Sequence, residues 1–190
     1  MHHRDVTETG PSIISVGHGA RTFEAFLELV RGAGIERVVD VRSFPGSRRH
    51  PQFGQDALAE ALGREGVAYG RERDLGGFRK PRPDSRHTAI RNAGFRGYAD
   101  HMETDEFHAA RDRLIAMSRE TPTAYMCAES VWWRCHRRML SDALLVAGCD
   151  VKHLMDRGKL EPHRLNPAAR VADDGTLVYD QAEGQQELGL

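Results

Sequence analysis

Apolar residues in this chain come in short runs that alternate with amphipathic stretches, and that rhythm predicts its elements. Residues 12–16 (SIISV) form an apolar run that stops at Gly17-His18-Gly19. Behind Thr22, a residue suited to cap a helix, Phe23, Phe26, Leu27 and Val30 recur at helical spacing until Gly32 and Gly34 end the pattern. Residues 37–41 (RVVDV) read as a second strand, 56–64 as a helix with Leu58 and Leu62 on one face, and 66–69 as a short third strand. Residues 98–119 are helical, with Thr104 or Asp105 as an internal cap. Then come a fourth strand at 123–126, a helix at 134–147, a fifth strand at 151–155 and a hairpin or edge strand at 177–179. Strand and helix in this alternation predict an α/β fold. The expected form is a single domain on a mostly parallel five-stranded sheet with helices on both faces, a Rossmann-like three-layer arrangement. That domain covers 12–158, after an N-terminal extension at 1–11 and before a C-terminal tail at 159–190.

Composition narrows the setting. The 190 residues carry a formal charge of -1, which argues against coating nucleic acid or an anionic membrane by net charge alone. The charge is uneven, however. Residues 71–96 hold eight Lys/Arg against three acids, whereas 173–190 hold five acids and no base. The long irregular segment at 78–96 contains most of that basic run, together with Pro81 and Pro83, and a loop of this length is more often functional than idle. Three cysteines do not make a disulfide framework, the N-terminus lacks an apolar signal core, and no run is long enough to span a bilayer. A reduced, cytoplasmic compartment is expected.

In a parallel sheet, ligands bind beyond the carboxyl ends of the strands. That edge collects His18 and Arg21 after strand one, and Asp40, Arg42, Ser43, Ser47, Arg48 and Arg49 at strand two. It collects Asp74, Gly76 and Gly77 past strand three, and Cys127, Glu129, Cys135, His136 and Arg137 after strand four. His153 sits near the end of strand five. Such a concentration of polar and reactive types marks a site. Cys127, at a strand end before a helix, is placed to have its thiolate stabilised by backbone N–H groups and by Arg134, Arg137 or Arg138. Glu129 or His136 would then move a proton. The plain alternative is that Cys127 is a small buried residue ending a strand.

The same residues admit a metal. Cys127, Cys135, His136, His18 and His153 are soft or borderline ligands for zinc or iron, although the Cys127–Cys135 spacing is not that of a zinc knuckle. Cys149, at a helix end, reads as packing, and His2, His3, His50, His87, His101 and His108 as surface residues. Trp132 and Trp133 cannot both face one core; Trp133 is the one expected to line the pocket and stack on a ring. No Walker-type or G-x-G-x-x-G phosphate motif is present.

A cysteine ending a strand, with Asp40-Val41-Arg42 after another strand, is similar to rhodanese-like and low-molecular-weight phosphatase-type domains. The phosphatase loop needs five residues between Cys and Arg; Cys127 and Arg134 have six. The ordered motifs SVGHGAR, DVRSFPGSRRHPQF, DLGGFR, GYADHMETDEF, CAESVWWRCHRRML and VKHLMDRG resemble, over residues 13–158, the bacterial and archaeal domain of unknown function numbered 488. That family usually has Ser after its first Gly-His, where this chain has Gly19. The resemblance implies an α/β fold and marks His18, Asp40, Arg42, Ser43, Arg48, Gly76, Gly77, Cys127, Glu129, Cys135, His136 and Arg137 as pattern residues, but brings no reaction.

The leading expectation is a cysteine-dependent transferase or hydrolase. Cys127 would be its nucleophile and Glu129 or His136 its acid/base, with Arg42, Arg48 and Arg137 binding a phosphate-, nucleotide- or sulfur-containing anion. No cofactor is required. The alternatives are a non-catalytic nucleic-acid or nucleotide binding module, using the basic loop and an exposed tryptophan, and a metal-dependent protein.

Overall fold

The computed structural model describes residues 10–46 and 48–181, so most of the N-terminal extension, Ser47 and the acidic end of the tail lie outside the described residues. In chain order the elements are β1 (Ser12–Gly17), α1 (Phe23–Gly32), β2 (Arg37–Asp40), α2 (Gln55–Arg64), β3 (Ala68–Arg71), α3 (Ala93–His101) and α4 (Asp105–Glu120). They continue with β4 (Thr123–Cys127), α5 (Arg137–Val146), β5 (Asp150–Leu154), β6 (Leu160–Pro162), β7 (Ala169–Val171) and β8 (Leu177–Tyr179). The first five strands are parallel in the order β3-β2-β4-β1-β5, and β6 adds to β5 antiparallel.

The main sheet therefore has six strands where the hydrophobic pattern predicts five. Its extra strand is the three-residue stretch LEP, exposed at both ends and closed by a proline, so it shows no apolar alternation to read. β7 and β8 form a separate two-stranded ribbon.

Strand residues alternate between two cores, as the period of two requires. Val38, Ala124 and Met126 pack with Phe26, Val30, Leu58 and Leu62 from α1 and α2. Val39 and Tyr125 face the opposite way, onto Tyr98, Phe107, Leu114 and Leu140 from α3, α4 and α5. Helices thus cover both faces. Side-chain caps set two helix starts: the Thr22 hydroxyl accepts from the Ala25 N–H at 3.2 Å, and Thr104 accepts from Phe107 at 3.3 Å, which separates α3 from α4.

Register places the site. Gly17 lies opposite Cys127, and Asp40 opposite Met126, so the ends of β1, β4 and β2 are adjacent. The alignment continues beyond the strands, where the N–H of His18 donates to the Cys127 carbonyl at 3.1 Å and that of Gly19 to Ala128 at 2.9 Å.

Asp142 of α5 is fully buried and fastens the tail. It accepts from the Tyr179 hydroxyl at 2.8 Å, from His163 Nε2 at 2.8 Å and from the Asn166 N–H at 3.0 Å. Tyr179→Phe removes one donor to a buried carboxylate and should cost about 2 kcal/mol, measured by urea unfolding. A loss below about 0.5 kcal/mol would mean that apolar packing alone holds the ribbon.

Candidate active site

Two charged groups at the end of β2 neutralise each other. The Arg42 guanidinium donates to both Asp40 oxygens, from Nε at 2.9 Å and from Nη2 at 2.6 Å. Tyr69 of β3 donates its hydroxyl to the same carboxylate at 2.9 Å, and the Phe53 carbonyl accepts from Arg42 Nη2 at 2.8 Å. Burial works against the Arg42 charge, but Asp40 outweighs it and raises the pKa. Only Nη1 faces onward, toward His18 Nε2 at 3.3 Å. His18 Nδ1 lies 2.8 Å from the Gly19 carbonyl, which accepts only if Nδ1 carries the proton. Nε2 then keeps a lone pair for Arg42. Burial pushes the pKa of His18 down to about 4, so the ring is neutral, and it stacks on Phe53 at 4.1 Å.

The sulfurs gather at the end of β4 itself. After Cys127 the chain folds back through a single 3₁₀ turn at Trp132–Arg134, and extended Cys135 returns to the strand end. The donor atoms of Cys127, Cys135 and His136 all lie within 4.8 Å of one another, and His136 Nδ1 is 3.5 Å from Cys135 Sγ. Two thiols this close do not both ionise. Donation from the Cys127 thiol, together with His136 and Arg137, holds the pKa of Cys135 well below the usual thiol range. The charge on Cys135, together with burial, drives Cys127 well above it. Cys135 is therefore the more acidic sulfur of the pair. Among the described residues, His136 Nε2 is buried without a hydrogen-bond partner.

Both clusters open onto a cleft of about 780 Å³. His18, Arg42, Cys127, Glu129, Cys135 and His136 line it, as does Gly77. The Glu129 side chain is exposed and accepts from the Val131 N–H at 3.2 Å. A Cβ at Gly77 would sit 3.1 Å from His136 Nδ1, and one at Gly76 would overlap the Ser43 hydroxyl, so both glycines permit close approach. Ser43 donates to the Gly77 carbonyl at 2.6 Å, which ties the two loops. Arg48 is exposed, in the loop between the cleft residues Gly46 and His50.

Three expected residues lie elsewhere. Arg137 is buried beneath the loop, with Nη1 donating to Ser15 at 3.1 Å and Nη2 donating to the Glu129 and Ser130 carbonyls. Trp133 is half-exposed beside a second hollow lined by Arg164 and Leu165. His153 stacks on Trp132 at 3.7 Å and lies 3.0 Å from His163, away from the sulfurs. The basic loop is partly neutralised, because Arg82 and Arg86 pair with Glu103.

Sequence reasoning passed over Phe44, Phe78, Asn92, Phe95 and Tyr98, which also line the cleft. Tyr98 was read only as the start of a helical stretch and as part of the motif GYADHMETDEF, and the Phe44 and Phe78 loops carry no period at all. Cys149 is buried, as a packing residue would be. Among the described residues no helix is long and apolar enough to cross a membrane.

A mostly parallel sheet with a cysteine pair at its carboxyl edge defines an α/β protein with a thiol-bearing cleft. The chain belongs to the family described as Domain of unknown function DUF488, whose profile matches residues 22–144. No curated protein and no solved structure matches it.

The buried imidazoles set an acid limit. Burial holds His18 near a pKa of about 4 and His153 near about 3, while the unfolded chain takes up these protons near 6.5. Their contribution to stability is complete above pH 6.5 and declines as pH falls, to about 4 for His18 and about 3 for His153. Urea midpoints at three pH values between 7 and 4.5 should decrease in order. A constant midpoint would contradict neutral buried rings.

Proposed function

We propose that this protein is a cytoplasmic enzyme that performs thiolate chemistry on a small substrate with an anionic end and a flat apolar part. One observation carries the reading: two cysteine sulfurs and an imidazole nitrogen within 4.8 Å of one another on the wall of an open cleft. A thiol pair held together for packing would not need a cleft of about 780 Å³ above it. The three cysteines are free thiols, which agrees with a reducing compartment.

Cys135 is assigned as the attacking sulfur and Cys127 as the donor that stabilises its charge. In the first step an electron pair on Cys135 Sγ forms a bond to the electrophilic atom. The bond to the leaving group breaks, and that group departs with the bonding pair and a proton from His136. Water or an acceptor then displaces the sulfur, a proton returns to His136, and the thiolate is restored. Arg134 faces the cleft as a cation, Arg42 offers it one N–H edge, and Phe95 and Tyr98 supply apolar wall. Arg137 acts through the loop and never meets the substrate.

The close donor set also favours a second reading, in which Cys127, Cys135 and His136 hold a zinc ion with one position open to the cleft. His18 and His153 do not join that set. Metal analysis of protein purified without added metal separates the two readings. Near-stoichiometric zinc that is lost in Cys135→Ala would replace the thiolate assignment.

Alkylation rate against pH, read by mass spectrometry at each cysteine, tests the primary reading. Cys135 should react fastest, with a midpoint below about 7. Cys127→Ser keeps a donor and should leave that midpoint within about 0.5 unit, while Cys127→Ala should raise it by about 1 unit or more. Identical behaviour in the two variants, or a Cys135 midpoint near 8.5, would retire the thiolate.

A further inference from the structure

The net charge of -1 conceals a strong separation of charge. The three segments that build the carboxyl edge, residues 41–54, 71–97 and 128–138, carry fourteen Lys/Arg against four acids. Of those acids, Glu72 is buried against Arg113, and Glu129 is bonded to the Val131 N–H. Arg134 lines the cleft, and Arg48, Arg49, Lys80 and Arg91 stand within two residues of ones that do. All five are exposed, and among the described residues none forms an ion pair. Elsewhere cations do find acids, as in Arg31–Glu65, Arg37–Glu120 and Arg170–Asp180.

Two phenyl rings stand among these charges. Phe44 is 70% exposed and Phe78 88% exposed, and both line the cleft with ring centroids 5.8 Å apart. Full exposure of two adjacent phenylalanines forgoes the stabilisation their burial would bring. Phe78 also has φ of 61°, a left-handed conformation unfavourable for an aromatic residue. Cost in exposed apolar surface and cost in backbone conformation fall at one place, the mouth of the cleft. A ligand that covers the rings would account for both.

We propose that this rim binds single-stranded nucleic acid, with bases stacked on Phe44 and Phe78, phosphates along the five rim cations, and one nucleotide entering the cleft. Five unpaired cations exceed what a mononucleotide can neutralise, and a repeating phosphate backbone matches them. Stacking on a phenyl face needs a base face that a duplex does not offer. A cleft of about 780 Å³ accommodates one nucleotide. The inference names the substrate class of the thiol site proposed above and rests on that reading for its chemistry, while the binding is independent of the sulfurs.

Fluorescence anisotropy with labelled 12-nucleotide DNA and RNA single strands, the matching duplexes and a labelled mononucleotide tests it on the full chain. At least one single strand should bind more than tenfold tighter than duplex or mononucleotide. Phe44→Ala and Phe78→Ala should each weaken binding about fivefold or more, and Arg48→Ala with Arg49→Ala should reduce the salt slope by about 1.4. Phe78→Gly relieves the left-handed strain, so its urea midpoint should be no lower than that of the parent while its binding is weakened. The proposal falls if neither strand binds at low salt, if duplex binds equally well, or if the phenylalanine variants bind like the parent. Cys127→Ala with Cys135→Ala should bind normally. Strand binding by protein with inert thiols would overturn the thiolate alone, and reactive thiols without strand binding would overturn the rim alone.

Discussion

Arg137 brings a full positive charge beneath the site loop, with 1% of its surface exposed and no carboxylate paired to it among the described residues. A guanidinium moved out of water costs several kcal/mol unless acceptors or an anion receive it. Here the acceptors are the Ser15 hydroxyl and the carbonyls of Glu129 and Ser130. Those carbonyls reach Arg137 only because residues 128–136 fold back over the end of β1. Gly17 permits the path, since a Cβ there would overlap the Glu129 carbonyl oxygen. The same reversal carries Cys135 to Cys127. Arg137 also favours the ionised form of both sulfurs, so one buried cation holds the course of the loop and lowers the cost of a charge at its end.

The cleft is electrically layered as a result. On the β2 side Asp40 cancels Arg42, leaving a neutral His18 and one guanidinium edge. Beneath the loop, the charge of the sulfur pair faces Arg137. The exposed cations near the mouth, Arg134 among them, stand outside both pairs. An anion approaching the cleft would meet the exposed cations near its mouth before the walls inside. That ordering suits an anion whose reactive part is not itself the most highly charged.

Local signals carried much of this into the sequence. The periodicity of Phe26, Leu27 and Val30 behind Thr22 marks α1, and Thr104 marks the break between α3 and α4. The rule that ligands collect beyond parallel strand ends was enough to group His18, Arg42 and Cys127, because register is a consequence of topology. What stayed hidden is non-local or lacks a period. β6 and β7 are three residues long and mostly exposed. The approach of Cys135 to Cys127 depends on a 3₁₀ turn that no spacing rule describes. The division of labour between Arg42, Arg137 and Arg134 follows from which acceptors each can reach, and an arginine in a sequence does not state its acceptor.

The family profile covers residues 22–144, yet that span cannot be the folding unit. It omits β1, which lies between β4 and β5 and without which the sheet would be split, β4 keeping only β2 and β5 only β6. It omits Ser15, a partner of Arg137, and His18, the partner of Arg42. It also ends before His153 and His163, which brace the loop from outside through the stack on Trp132 and lead back through Asp142 to Tyr179. The two sulfurs and His136 therefore fall within the matched span, while the groups that hold them in register come from the strands and tail beyond it. A buried guanidinium and a buried carboxylate, Arg137 and Asp142, stand one turn and a half apart on α5, and each recruits one of those outer segments. α5 is thus the element through which the ends of the chain fix the geometry of its middle.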